Sequence, residues 1–456
     1  MERTTRELAE VLAGVEFEAL PAPVIEQVKK CLLDFVGVAL AGAGEPAAQK
    51  VCRFFCGFGG PPEATLIRLG GKTPAPMAAL INGSMAHGLE LDDGHILAHA
   101  HPGVTTIPAA LAMAEKLGSS GRELITAIAT GYEPVIRIGD AITPSALYVR
   151  GFHTGALVGT FGAAVAAGKL LHLDAAGMAH ALGNCCLTPA ASFQAFKEGA
   201  MVKDLYGGWP AYVGTLAALL ATEGVTGPVE LLEGRMGFCR NVSDDYDLAK
   251  ITRDLGRDWT ILGVYFKRHA SCSLSHTAVD AVLALADAHP VALEQIERVI
   301  VRTHRFASDL DEKAPTTAAA AKTSLPFCVA VALHERRVSL EEFSFRHIAS
   351  APILDLARRV EVRLDPVLDA IHTAHENLRP TVVEVHLRDG RLLAERRDVA
   401  RGWPVEPLTN SELEAKFMAF ARASLSETSA AAIVDLVKSV ETLSDITPLM
   451  EAMTSA

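Results

Sequence analysis

The sequence predicts a mainly α protein with an inserted α+β domain. Three observations carry that reading. Half of the 456 residues are apolar but only 6% are aromatic, and 36 are glycine, so the core is built from Ala, Leu and Val on closely packed helices. Up to about residue 267, apolar residues recur at helical spacing between short Gly- or Pro-marked turns. Beyond that point the chain changes to segments that alternate apolar and polar residues, and helical spacing returns near the end. The boundaries that follow are 1–267 and 406–456 for a large all-α helical domain formed by both chain ends, with 268–405 inserted as the α+β domain.

Taken in order, PAPVIEQVKKCLLDFVGVALAG predicts a helix over Ala22–Ala41 that Gly42 stops, and a second follows over Ala47–Phe58. EATLIRL (Glu63–Leu69) is a short strand before the Gly70–Gly71 turn. Helices are expected at Pro74–Gly88, Val104–Leu117 (with Pro108 in its first turn), Arg122–Ile138, Thr154–Leu171, Ala175–Leu187 and Pro210–Thr222. GALVGTFGAAVAAG follows no strand, so its glycines predict close helix packing rather than a dinucleotide loop. In the inserted domain, a helix over Ser275–Ala288 precedes the β-branched IERVIVRTHRF and a long helix over Thr316–Leu333. RRVEVRLDP, TVVEVHLRDG and RLLAERRDVARG then alternate as half-buried strands do, with Asp389–Gly390 as a hairpin turn. Helices resume over Ser411–Leu425 and Ser429–Leu443.

A net charge of −12 argues against nucleic acid and anionic membrane surfaces as partners. It also means that an anionic substrate must be drawn in by local Lys and Arg. The first twenty residues are charged and lack an apolar stretch of signal type, and the longest apolar run, Gly155–Leu171, contains Lys169 and suits a buried helix. The eight cysteines form no CxxC pair, which leaves reduced thiols and a cytoplasmic location as the expectation.

The densest polar stretch is NGSMAHGLELDDGHILAHAHPGVTTIPAALAM (Asn82–Met113), which places Glu90, Asp92, Asp93, His95, His99 and His101 within twelve positions. The plain alternative is a solvated acidic turn with surface histidines. Against it, HPG hands the cluster directly to a buried helix, whose N-terminal N–H groups favour anions. Further candidates are His153 at or beside a helix N-cap, Lys203 before Gly207–Gly208, and Lys267–Arg268 followed by His269, Cys272 and His276. Lys322 and Ser324 read as structural. Each taken alone has a bland explanation as a cap, a solvated lysine or a buried thiol. Together they supply acids and imidazoles for proton transfer and cations for a polycarboxylate, with no cofactor motif in view. A metal site on the His99–His101 pair is the rival, but HxH at a strand end is what metallohydrolases use, and here both flanks are helical.

These segments, with RGFHTGALVGTFGAAVAAGKLL, VKDLYGGWPAYVGTLAALLA, GVTGPVELLEGRMGF and KRHASCSLSHTAVDA, resemble the MmgE/PrpD family, which includes 2-methylcitrate dehydratase, cis-aconitate decarboxylase and iminodisuccinate epimerase. The likeness runs from near residue 5 to near residue 440. It implies that the inserted domain is a lid, that the protein is a homodimer, and that a cofactor-free and metal-free active site lies between the domains. It puts the family's active-site histidines on His101 and His153, its lysines on Lys203 and Lys267, and its acidic loop on Asp92 and Asp93. The chain departs from the decarboxylase-like pattern at Glu90 (aspartate there), at Gly94 (often threonine) and at Cys272 (histidine in decarboxylase- and dehydratase-like members). It also has no tyrosine within 268–405, where those members use one.

The departures speak against cis-aconitate decarboxylation and leave dehydration and epimerisation open. The reading is therefore a metal-independent lyase acting on a small di- or tricarboxylate of the 2-methylcitrate type, with His101, His153, Asp93, Lys203 and Lys267 as catalytic groups. Glu90, Asp92, His95, Arg268, Cys272 and His276 are placed in the substrate site. An epimerase of an imino- or amino-dicarboxylate is the alternative, followed by a catalytically silent binding paralogue and a metal-dependent hydrolase.

Overall fold

The computed structural model describes residues 3–188, 191–375 and 377–454. The chain is mainly helical, with one four-stranded sheet and one two-stranded sheet. It divides into two compact units. One comprises residues up to Ala195, Met201–Val264 and Thr409 onward, and the other comprises Phe196–Ala200 and Tyr265–Leu408.

Among the described residues the strands of the first unit are the paired dipeptides β1 (Ala64–Thr65) and β2 (Lys72–Thr73). Its helices include α1 (Thr4–Ala13), α2 (Ala22–Gly42), α3 (Pro46–Cys56), α4 (Ala75–His87), α5 (Gly103–Leu117), α6 (Gly121–Ile142), α7 (Thr154–Leu170) and α8 (Ala175–Asn184); the short α9 (Gln194–Lys197) falls across the division between the units, and α10 (Leu205–Thr222) follows in the first. No single helix among the described residues is long and apolar enough to cross a membrane. At the centre α4, α5, α7 and α10 pack on one another, and nearly every residue of α4 and α7 is buried. Helices that are apolar all round belong in the middle of a bundle, and these are enclosed on every side. The C-terminal helix Asn410–Ala421 packs on α2. The N-terminus of α6 carries a capping box, in which Ser120 accepts from the Glu123 N–H and Glu123 reaches back to the Ser120 N–H.

Two helices start or break where the sequence reading does not place them. α10 begins at Leu205 rather than at Pro210, so Gly207–Gly208 lies within the helix. The glycines serve contact. A Cβ on Gly208 would overlap Leu80 O of α4, and one on Gly83 would lie 2.7 Å from Val104 O and 2.9 Å from Gly208 Cα. The stretch Thr316–Leu333 forms two helices, Ala318–Lys322 and Leu325–Glu335, because Ser324 caps the second by accepting the Phe327 N–H at 3.0 Å, with Pro326 in its first turn.

In the second unit the sheet order is β4 (Val360–Leu364), β3 (Ile296–Thr303), β5 (Thr381–Leu387) and β6 (Leu392–Arg397). β3 pairs parallel with β4 (Val299 opposite Val360) and antiparallel with β5 (Val301 opposite Val383). β5 alternates buried and half-buried residues without a break, as a strand with one covered face must. The helix His276–Ala288 lies against β5 and β6. β6 buries nothing fully and ends in three charged residues, Glu395, Arg396 and Arg397, as suits an edge.

The close approach of α4 and α10 is the packing constraint to test. Gly208→Ala should cost about 1–3 kcal/mol or more, since main chain rather than a flexible side chain must move. Gly14→Ala, whose Cβ would meet nothing nearer than 3.4 Å, should be close to neutral. Thermal unfolding of both variants checks the pair, and equal midpoints would remove the constraint.

Candidate active site

The loop between α4 and α5 carries three buried carboxylates, Glu90, Asp92 and Asp93. Each has its own partner. Asp93 Oδ1 accepts the Gly103 N–H at 2.9 Å, and its Oδ2 accepts the Tyr132 hydroxyl at 2.7 Å. The sequence reading expects the α5 N-terminus to favour an outside anion, but the chain's own Asp93 takes that place. Burial still dominates and pushes the Asp93 carboxyl up to about 7. The loop is tied down further by Lys416, which donates to Leu91 O at 2.8 Å and to Asp34 Oδ1 at 2.6 Å.

Asp92 Oδ2 lies 2.8 Å from His87 Nδ1 and 3.3 Å from His101 Nδ1. A carboxylate only accepts, so His87 carries its proton on Nδ1. His101 Nδ1 also lies 2.8 Å from the Asp93 main-chain oxygen, which likewise only accepts. Nδ1 of His101 is therefore the protonated nitrogen and Nε2 holds the lone pair. His153 has the opposite arrangement. It caps α7, and its Nδ1 accepts the Ala156 N–H at 3.3 Å, which leaves the proton on Nε2. The His87 ring centroid lies 5.3 Å from that of His101 and 6.0 Å from that of His153. Burial, then the Lys203 cation, lowers the His87 pKa to about 3; burial, then the neighbouring imidazoles, holds His153 well below the usual range. Both rings are neutral at pH 7. One cluster thus holds a lone-pair nitrogen on His101 and an N–H donor on His153.

Lys203 stands directly before α10 and forms a buried ion pair with Glu90. Glu90 adopts φ +56°, a left-handed conformation uncommon for a residue with a side chain. The remaining residues of the dense stretch go elsewhere. His95 Nδ1 accepts the Ala98 N–H, and its ring faces Gly263 and feels Asp140; burial lowers its pKa to about 4. His99 lies 3.1 Å from the Tyr148 hydroxyl. His99 turns to Tyr148 whereas His101 turns to Asp93 O, so the two rings of the HxH pair engage different partners. Among the described residues no three His, Cys, Asp or Glu side chains converge as metal ligands would.

Sequence reasoning missed His87, which occupies the middle of the cluster. It ends an apolar helix pattern, where a histidine is easily taken for a core residue, although the spacing HGLELDD offers an acid five positions on. In the second unit, Lys267 is fully buried and Arg268 is exposed, so the two consecutive cations point apart. His269 Nε2 pairs with Asp280 Oδ1 at 2.8 Å. His276 Nε2 lies 3.1 Å from Ser271 O, and burial lowers its pKa to about 3. Cys272 is buried, and its N–H donates to Lys322 O at 2.9 Å.

Fold and site together describe a mainly α-helical protein with carboxylate and imidazole side chains gathered in one buried cluster. The MmgE/PrpD N-terminal domain matches residues 6–250 and the MmgE/PrpD C-terminal domain matches residues 269–442, and the chain belongs to this family. It is similar along 98% of its length to three proteins named cis-aconitate decarboxylase. That of Aspergillus terreus is 29% identical over 472 residues (95% of the relative). The human protein is 25% identical over 461 residues and the mouse protein 24% over 470, with 93% of each relative covered.

Asp93 gives the site a pH signature in stability. Its folded-state pKa of about 7 lies above the ordinary 3.8, so the carboxyl is neutral in both states at low pH, and ionisation penalises only the folded state. Stability from this group is therefore present at about pH 4 and lost as pH rises through about 7. Asp93→Asn should remove that loss. Urea midpoints of wild type and variant should diverge with rising pH, by free energies on the order of a few kcal/mol at most. Parallel pH profiles would show that Asp93 ionises without penalty.

Proposed function

We propose that the chain is a cofactor-independent hydro-lyase for a small hydroxy-polycarboxylate of the 2-methylcitrate type. The observation that carries this reading is the pair of opposite tautomers on His101 and His153 within one buried cluster. His101 Nε2 takes the proton from the carbon α to a carboxylate, and the electron pair forms the new double bond. The C–O bond to the β-hydroxyl breaks, and the leaving oxygen, held by a hydrogen bond from the Nε2–H of the neutral His153, takes up the proton from the His101 imidazolium and departs as water. Asp92, 3.3 Å from His101 Nδ1, faces the positive charge that forms on that ring. Asp93 has both oxygens engaged, so proton transfer is assigned to His101 instead. Lys203 receives a substrate carboxylate, sharing its charge with Glu90. Lys267 and Arg268 remain in the proposal as carboxylate-binding groups, because Lys203 is already paired with Glu90 and a polycarboxylate needs further positive charge. Cofactor independence rests on the acid–base side chains and on the absence of any cofactor motif in the sequence.

The names of the relatives favour a second reading, decarboxylation of cis-aconitate, in which the carboxyl group leaves as CO₂ and the site supplies a proton to carbon. Epimerisation of an imino- or amino-dicarboxylate uses the same base, with the proton returned to the opposite face. A panel of di- and tricarboxylates in D₂O followed by proton NMR separates the three, since loss of water, loss of CO₂, and inversion with exchange have distinct spectra. Loss of water from a hydroxy-polycarboxylate is the expected result. No change with any compound would favour a binding protein. For whichever compound reacts, His101→Gln and His153→Gln should each lower kcat by roughly 10²–10⁴-fold, and Lys203→Met and Lys267→Met should raise KM as well. Wild-type KM in both lysine variants would move the carboxylate contacts elsewhere.

Turnover should also survive thorough chelation, because His99 and His101 turn to different partners. Inactivation by EDTA that zinc, iron or manganese reverses would reinstate the metal reading.

A further inference from the structure

The second unit contains a cluster that the proposed reaction does not use. His304 follows β3, is fully buried, and among the described residues has no hydrogen-bond partner on either ring nitrogen. Its ring lies 4.3 Å from that of His372 and 6.1 Å from that of Phe306, centroid to centroid. Arg379, just before β5, is 3% exposed, and its Nε and Nη1 are buried without a partner among the described residues. His372 Nδ1 donates to Leu378 O at 2.7 Å, which leaves a lone pair on its Nε2. The nearby carboxylate, Asp369, is already engaged by Arg305, at 2.6 Å from Nη2 and 2.9 Å from Nε.

A guanidinium stays charged at every physiological pH, and burying one without a counter-charge costs several kcal/mol. Buried charges are accordingly paired, and buried donors are satisfied. The imidazoles cannot pair with the cation. Burial and then Arg379 hold His304 down at about 2, so it is a neutral ring with one N–H and one lone pair. Two donor nitrogens of Arg379, Nε and Nη1, and the single N–H of His304 are thus unpaired among the described residues and open to an acceptor that carries negative charge. Oxyanions match a guanidinium by planar, bidentate contacts.

We propose that the cluster of His304, His372 and Arg379 binds one small oxyanion, an inorganic phosphate or sulfate or the carboxylate end of a small acid. It shares no residue with the imidazole cluster of the first unit.

The test is binding of inorganic phosphate, sulfate and acetate to the full chain, read by thermal unfolding and, for phosphate, by ³¹P NMR titration. Four proteins are compared: wild type, Lys203→Met, Arg379→Met and His304→Phe, each checked for folding by circular dichroism. Wild type and Lys203→Met should show the same saturable stabilisation by at least one of the three anions. Arg379→Met should bind it at least roughly tenfold more weakly. His304→Phe, which keeps the cation, covers the case in which Arg379→Met fails to fold and should also weaken binding. Phosphate and sulfate acting without acetate would assign an inorganic ion, and acetate acting alone would assign a carboxylate. No saturable binding to wild type, or equal binding by Arg379→Met or His304→Phe, overturns the proposal. Glu376 lies outside the described residues, three positions before Arg379 in the chain. If Glu376→Gln creates oxyanion binding that wild type lacks, the counter-charge is the chain's own and the proposal fails.

Discussion

Three carboxylates within four residues, all buried, set the terms for the first unit. Removing one partner of a buried ion pair typically costs about 3–5 kcal/mol, so each acid must be answered locally. Glu90 is answered by Lys203, Asp92 by two imidazoles, and Asp93 by a helix N-terminus and the Tyr132 hydroxyl. The proton positions follow from that arrangement rather than from the histidines themselves. An acceptor at Nδ1 of His101 leaves the lone pair on Nε2, and a main-chain donor at Nδ1 of His153 leaves the proton on Nε2. Two residues of one type thereby acquire opposite roles.

The partners reach one another because the surrounding helices touch through glycine. His87 ends α4, and Lys203 immediately precedes α10. A Cβ on Gly207 would stand 2.9 Å from His87 Cβ, so any larger residue there would push that imidazole away. From the other side, Lys416 of the C-terminal helix holds Leu91 O in the middle of the acidic loop. The end of the chain therefore helps to position a site encoded in its first half.

Much of this was legible in the sequence, and the failures have physical causes. Helical spacing finds the buried helices because burial imposes it, and the N-cap role of His153 is a local property that sequence carries. The start of α10 was misplaced because Gly–Gly usually marks a turn, whereas here it marks contact with α4. The break at Ser324 was visible as Ser followed by Pro two positions on, but an unbroken apolar run outweighed it. In the loop, density proved a poor guide to direction. His95 and His99 sit among the acids in sequence and turn to Gly263 and Tyr148 in space, while His87, three positions before the first acid, joins the cluster. A loop with two left-handed residues, Glu90 and His99, has no period from which side-chain directions could be read.

The same geometry bears on what distinguishes this chain from the decarboxylase-like pattern. Dehydration, decarboxylation and epimerisation can share a base and a proton donor; they differ in which bond to the substrate carbon is aligned to break. Alignment depends on where the carboxylates are held, hence on the cations and on the groups that compete for them. Glu90 is one methylene longer than the aspartate of that pattern, and it is the group that engages Lys203. The substitution therefore acts at the cation that would orient the substrate, not at the imidazoles that move protons. Specificity within the family can change at such a position while the acid–base pair stays intact. For this reason the identity of the reaction is better sought in the Glu90–Lys203 contact than in the histidines.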